Sequence, residues 1–104
     1  MNKYINDEGK VGVLVSYGYG AGWSRWNGGK EVLVMDKVLV TMKLANDDED
    51  TVANYCEMVT GEKPFMGGWS STEVVWLDKG TKFRIDEHDG AETLITTADL
   101  PLEA

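Results

Sequence analysis

The sequence predicts an α+β domain: an antiparallel β-sheet of four to five strands with one or two helices packed on one face. Three observations lead there. The C-terminal third holds two short β-rich runs, Glu73 to Asp78 and Thr81 to Asp86, on either side of Lys79-Gly80. Val52, Tyr55, Cys56 and Val59 recur at helical spacing between an acidic start and Gly61. Val11, Val13 and Val15 form a β-branched run of strand length. At 104 residues the chain is expected to form a single domain, 1–104.

From the start of the chain, Tyr4 lies in a short strand candidate and Asp7-Glu8-Gly9-Lys10 has turn chemistry. With Val11 to Ser16 this reads as an N-terminal hairpin. The strand runs straight into Tyr17 to Asn27, where Gly18, Gly20 and Gly22 are interleaved with Tyr17, Tyr19, Trp23 and Trp26. Glycine permits positive φ and close backbone approach, and aromatic rings are costly to leave in water. A ligand loop explains this combination, and so does a loop folded over the protein's own core.

Met35, Val38, Leu39 and Met42 share one helical face, which predicts a helix from about 33 to 45. The runs Val32 to Val34 and Val38 to Val40 leave a strand as the alternative there. Asp47 and Asp48 are good N-caps, and Glu49 and Asp50 suit the positive end of a helix dipole. They open a second helix that Gly61 can close, so capping accounts for the acidic run better than metal binding does. The two segments together read as a small helical hairpin. Glu62 to Thr72 is a loop carrying Phe65 and Trp69, which either packs against the first loop or frames a pocket with it.

Lys79-Gly80 suits a tight hairpin between the two β-rich runs. In the second of these Thr81, Phe83 and Ile85 face one way and Lys82, Arg84 and Asp86 the other. Glu87 to Gly90 is a second turn, Ala91 to Thr97 a third strand, and Leu100 to Ala104 a tail.

Composition narrows the function. Eighteen acidic residues against ten basic ones leave a net charge of −8, which argues against direct nucleic-acid binding. That charge serves solubility, or mimics nucleic acid toward a basic protein. A single cysteine, Cys56, and a single histidine, His88, exclude an intrachain disulfide and a Cys/His zinc site within one chain. No basic segment followed by an apolar run marks a signal peptide, and no run of about 18 apolar residues marks a membrane span, so a cytoplasmic location is expected.

Candidate chemistry is sparse. Cys56 lies on the apolar face of its helix as a small core residue, and His88 is a solvated turn residue between Glu87 and Asp89. Asp86, Glu87, Asp89 and Glu92 lack the spacing of a calcium loop, so neither a metal nor a cofactor is expected. The glycine loop matches neither G-x-x-x-x-G-K-[ST] nor G-x-G-x-x-G. What remains is a site that stacks a base or sugar on Tyr17, Tyr19, Trp23 or Trp26, at about 1–3 kcal/mol per ring. Backbone N–H groups of Gly18, Gly20 and Gly22 would hold an anion beside it. Arg25 and Arg84 are the only arginines, and either suits bidentate anchoring of a phosphate or carboxylate; Arg84 is favoured because Phe83 and Ile85 fix its strand. Ser24, Asn27, Glu87 and Asp89 complete the candidate ligand-binding set.

Two blocks, VGVLVSYGYGAGWSRWN and VVWLDKGTKFRIDEHDG, resemble a widespread uncharacterised family of small acidic proteins of tailed phages. The family patterns are G-V-L-x-S-x-G-x-G-A-G-W-S-T-W-N and V-W-V-x-x-G-T-x-F-x-I-x-E-Y-D-G. This chain has Arg25 where threonine is usual and His88 where tyrosine is usual. The resemblance implies a bacteriophage accessory protein that acts in host takeover or counter-defence in the infected cell. Three readings follow. The first is a non-enzymatic protein holding a nucleotide-like small molecule in a pocket built from Tyr19, Trp23 and Arg84. The second is an acidic inhibitor of a host protein. The third is a small enzyme on a nucleotide or sugar, with Glu87 or Asp89 as acid or base. Homo-oligomers are compatible with all three, since aromatic loops also line interfaces.

Overall fold

In the computed structural model, which describes residues 1–97 and 100–104, everything is built around β1 (Lys10–Ser16). β1 pairs antiparallel with β2 (Thr72–Asp78), in a register running from Lys10 opposite Asp78 to Ser16 opposite Thr72. A second antiparallel ladder has the order β4-β3-β5, from β3 (Lys82–His88), β4 (Ala91–Thr96) and β5 (Leu102–Glu103). The helices are α1 (Glu31–Met35), α2 (Lys37–Ala45) and α3 (Glu49–Thr60). The protein is therefore α+β, with five strands and three helices among the described residues, and the strands divide into two ladders.

β1 is buried on both faces, which is why it reads as a continuous apolar run. Val11, Val13 and Val15 share one core with Val34, Met35, Phe83 and Ile85. Leu14 belongs to the second core, with Leu39, Val40, Val52 and Cys56 from α2 and α3 and with Trp23 and Trp69. Gly12 faces that second layer, where a Cβ would come within 2.9 Å of Val40. The helices thus lie close on the β1–β2 ladder because one side chain is missing.

α3 forms as its caps dictate. The Asp48 carboxylate accepts from Thr51 N at 2.8 Å, and Gly61 ends the helix at φ 78°. The expected helix over 33–45 is present, but it breaks at Asp36, whose backbone is extended. Asp36 caps α2 by accepting from Val38 N and Leu39 N, and it also accepts from the Tyr55 hydroxyl at 2.6 Å. These three donors converge on Oδ2 of Asp36, a residue only 7% exposed.

Three local expectations are corrected. The runs on either side of Lys79-Gly80 do not pair with each other: β2 joins β1, and β3 joins β4 and β5. The tight hairpin sits instead at Asp89-Gly90, with φ of 50° and 87°, between the paired residues His88 and Ala91. Positive φ at both central residues matches the twist of the flanking strands, and Asp-Gly supplies it cheaply. The tail contains β5, because Leu102 opposite Phe83 closes the edge of the first core. The N-terminal hairpin is reduced to a bridge between Ile5 and Val11 and a turn closed by Asn6 N on Lys10 O. No helix among the described residues is long and apolar enough to cross a membrane.

Candidate functional site

The glycine–aromatic loop is organised by a carboxylate far along the chain. Glu92 on β4 is 1% exposed, and it accepts from Ser16 N at 2.9 Å, Trp23 N at 2.9 Å and Arg25 N at 3.0 Å. The backbone N–H groups that bind an anion are those of Ser16, Trp23 and Arg25 rather than the expected Gly18, Gly20 and Gly22, and that anion belongs to the protein. Glu92 therefore leaves the acidic group suggested by Asp86, Glu87 and Asp89. Among the described residues no three acidic, histidine or cysteine side chains gather as a metal site.

The loop over 62–71 then packs onto the first loop. A Cβ on Gly68 would lie 2.2 Å from the Gly22 carbonyl oxygen, so backbone meets backbone there. The Ser16 and Ser71 hydroxyls are 2.8 Å apart, and the Trp23 and Trp69 rings meet edge to face with centroids 4.9 Å apart. Trp23 is fully buried and donates its indole N–H to Leu33 O at 2.8 Å. Lys43 covers Trp69 with its ammonium 4.7 Å from the ring centroid, and burial pulls the ammonium's pKa down.

The pocket that the sequence assembles from Tyr19, Trp23 and Arg84 is thus taken apart. Trp23 is core and Tyr19 is 83% exposed. Tyr17 is exposed as well; partial burial and then the Glu73 charge raise its phenol pKa. Gly18 lies against Ser71, Gly20 donates its N–H to Asp89 O at 2.7 Å, and Gly22 is covered by Trp26. Glu87 accepts from Gly90 N at 3.0 Å, and the Asp89 carboxylate sits 3.4 Å from His88 Nε2 at the surface. Both acids serve the hairpin turn, and neither lines a cleft described below.

Two clefts flank the loop. The first, of about 500 Å³, lies between the short 3-10 turn at Ser24–Asn27 and the segment after α3. Trp26 and Phe65 form its aromatic wall, with centroids 5.5 Å apart. Asn27 braces that wall by donating to Phe65 O and accepting from Phe65 N, and Lys30 pairs with Glu62 at 3.0 Å on the rim.

The second cleft, of about 390 Å³, lies between the loop and the β3–β5 surface. Val34, Ile85, Pro101 and Leu102 give it an apolar lining, and both arginines of the chain, Arg25 and Arg84, border it. Arg84 Nε donates to Asp86 Oδ1 at 2.8 Å, which orients the guanidinium and leaves its terminal nitrogens without a partner among the described residues. Ser24 also borders this cleft. Its side chain is fully buried, and its hydroxyl has no hydrogen-bond partner among the described residues. Arg25 and Gly29 lie beside it, with the Arg25 Nη1 atom 3.2 Å from where a Gly29 Cβ would stand.

In the second cleft the structure brings Ser24 and Arg84 of the expected set together with Arg25, the other arginine offered as an anchor. It leaves out the aromatic residues and the acidic turn. The residue that sequence reasoning missed is Glu92, and a signal existed: in β4 it shares parity with Leu94, which packs on the first core. Comparison with protein family models, with characterised proteins and with solved structures finds no match.

Proposed function

We propose that the protein is a non-enzymatic accessory protein of phage origin, acting in host takeover or counter-defence, that holds a nucleotide-like small molecule in the cleft between the glycine loop and β3. The phage context rests on the resemblance of the two blocks. These blocks meet in the fold: β1 and β2 pair, and Gly90 packs against Gly20 and Ala21. The binding reading is carried by one observation, the partnerless Ser24 hydroxyl at a cleft of ligand size. Leaving a buried hydroxyl unpaired costs about 1–3 kcal/mol, and natural proteins rarely accept that without a use for the group. Apolar residues beside polar donors are what such a site needs.

Thermal melting against a panel of nucleotides, cyclic nucleotides and nucleosides tests the reading. A ligand that binds only the folded state stabilises it by about 2.7 kcal/mol at one hundred times Kd. Ser24→Ala gives the discriminating result: the free protein should become more stable while the shift produced by the ligand shrinks. A panel without any shift would remove the small-molecule reading and favour an acidic inhibitor of a host protein.

A further inference from the structure

We infer that the group this cleft recognises is a phosphoryl group, held between the Arg25 and Arg84 guanidinium forks with the Ser24 hydroxyl behind them. The inference rests on the small-molecule reading above and names the chemical class that the cleft selects.

The chain carries a net charge of −8, so its general field repels anions. Beyond roughly 8–10 Å that field is screened at physiological salt, and the local balance decides. Among the described residues lining the cleft, two arginines meet one carboxylate, Asp86, which leaves those residues one net positive charge. Asp86 is already engaged by Arg84 Nε and holds the fork in one orientation. The buried Glu92 accepts from Arg25 N, but its two oxygens are occupied by three backbone donors and it does not line the cleft.

Donor count separates phosphoryl from carboxylate. Two planar forks and one hydroxyl make three independent donor sets around the cleft. A phosphate monoester presents three terminal oxygens, one for each set, whereas a carboxylate presents two. Val34, Ile85, Pro101 and Leu102 then cover an apolar part of the ligand. No aromatic ring borders this cleft, so the ligand is read through its phosphoryl end rather than by stacking of a base.

The arginine side chains give a direct probe. Because the chain has two arginines, its nitrogen-15 NMR spectrum should contain two Nε–Hε cross-peaks. Titrations of the full chain at constant ionic strength would use adenosine 5′-monophosphate, adenosine, inorganic phosphate and citrate. The expected result is saturable movement of both cross-peaks with the monophosphate and with inorganic phosphate, but not with adenosine. Arg25→Lys and Arg84→Lys keep the charge but lose the fork, and each should weaken the monophosphate by about tenfold or more. Lys63→Ala, which alters the other cleft, should leave it unchanged. Adenosine or citrate binding as well as the monophosphate, or lysine variants binding normally, would overturn the inference and leave the small-molecule reading standing. Failure of every probe here and in the melting panel would overturn both.

Discussion

Replacing Glu92 is the most direct way to ask what holds the glycine loop in place. Its carboxylate accepts three backbone N–H groups at 2.9, 2.9 and 3.0 Å in a site closed to water. Hydrogen bonds to a charged group contribute about 1.5–3 kcal/mol each. In Glu92→Gln the amide oxygen can keep the Trp23 and Arg25 donors on the Oε2 side. The amide NH2 then faces Ser16 N–H, donor against donor. One charged bond is lost and one buried donor is orphaned, so the expected cost is about 2–4 kcal/mol. Glu92→Ala orphans all three donors, and about 4–5 kcal/mol is expected. A domain of this size has about 5–15 kcal/mol in total, so the alanine variant should be close to unfolding. Urea denaturation followed by tryptophan fluorescence measures both, with Glu73→Gln as an exposed carboxylate control expected within about 0.5 kcal/mol of the parent. Should Glu92→Gln match that control, the carboxylate is not what secures the loop, and the account of the site fails with it.

The remaining predictions concern the core and the alkaline limb. Burial, followed by the Asp36 charge, pushes the Cys56 thiol up to about 11, and burial with the Asp36 hydrogen bond pushes the Tyr55 phenol up to about 12. Both groups are neutral when protonated, so the folded state retains protons that the unfolded state has lost. Stability should hold below pH 9 and fall as pH rises from about 9 to 12. Cys56→Ala should remove the part of that fall lying between pH 9 and 11, as measured by denaturation midpoints across pH. Trp23→Ala should cost about 3–5 kcal/mol, since it empties a buried site and frees the Leu33 carbonyl. Tyr19→Ala, at an exposed position, should stay within about 0.5 kcal/mol of the parent. Equal losses in the two would contradict the placement of the rings.

The elements legible in the sequence are those whose cause is local. Asp48 and Gly61 mark α3 because caps act within one turn, and the alternation of Phe83 and Ile85 marks β3 because period and burial agree. Partner choice is not local. Lys79-Gly80 can close a hairpin or a corner, and what decides is that β1 needs cover on both faces. The break at Asp36 depends on Tyr55, nineteen residues away, and the burial of Glu92 depends on backbone donors that no side chain announces. The same holds for the candidate site. Arg84 was legible from its strand, whereas Trp23 and Tyr19 carry similar sequence signals and end in opposite environments. Ser24 was legible only as a member of the glycine–aromatic loop; that its hydroxyl lacks a partner among the described residues is visible only in three dimensions.

The long reach between β1 and its partners also sets a schedule for biosynthesis. Ser16 and Glu92 are 76 residues apart, and β2 follows β1 by more than half the chain. At about 5–20 residues per second, a ribosome needs about 4–15 s to supply those partners once β1 has been made. For that interval a valine-rich strand has no partner, and unpaired strands attract one another. Contacts of such separation also make folding slow relative to chain length. Expression yield should therefore depend on translation speed and chaperone supply more than the stability of the finished fold would suggest.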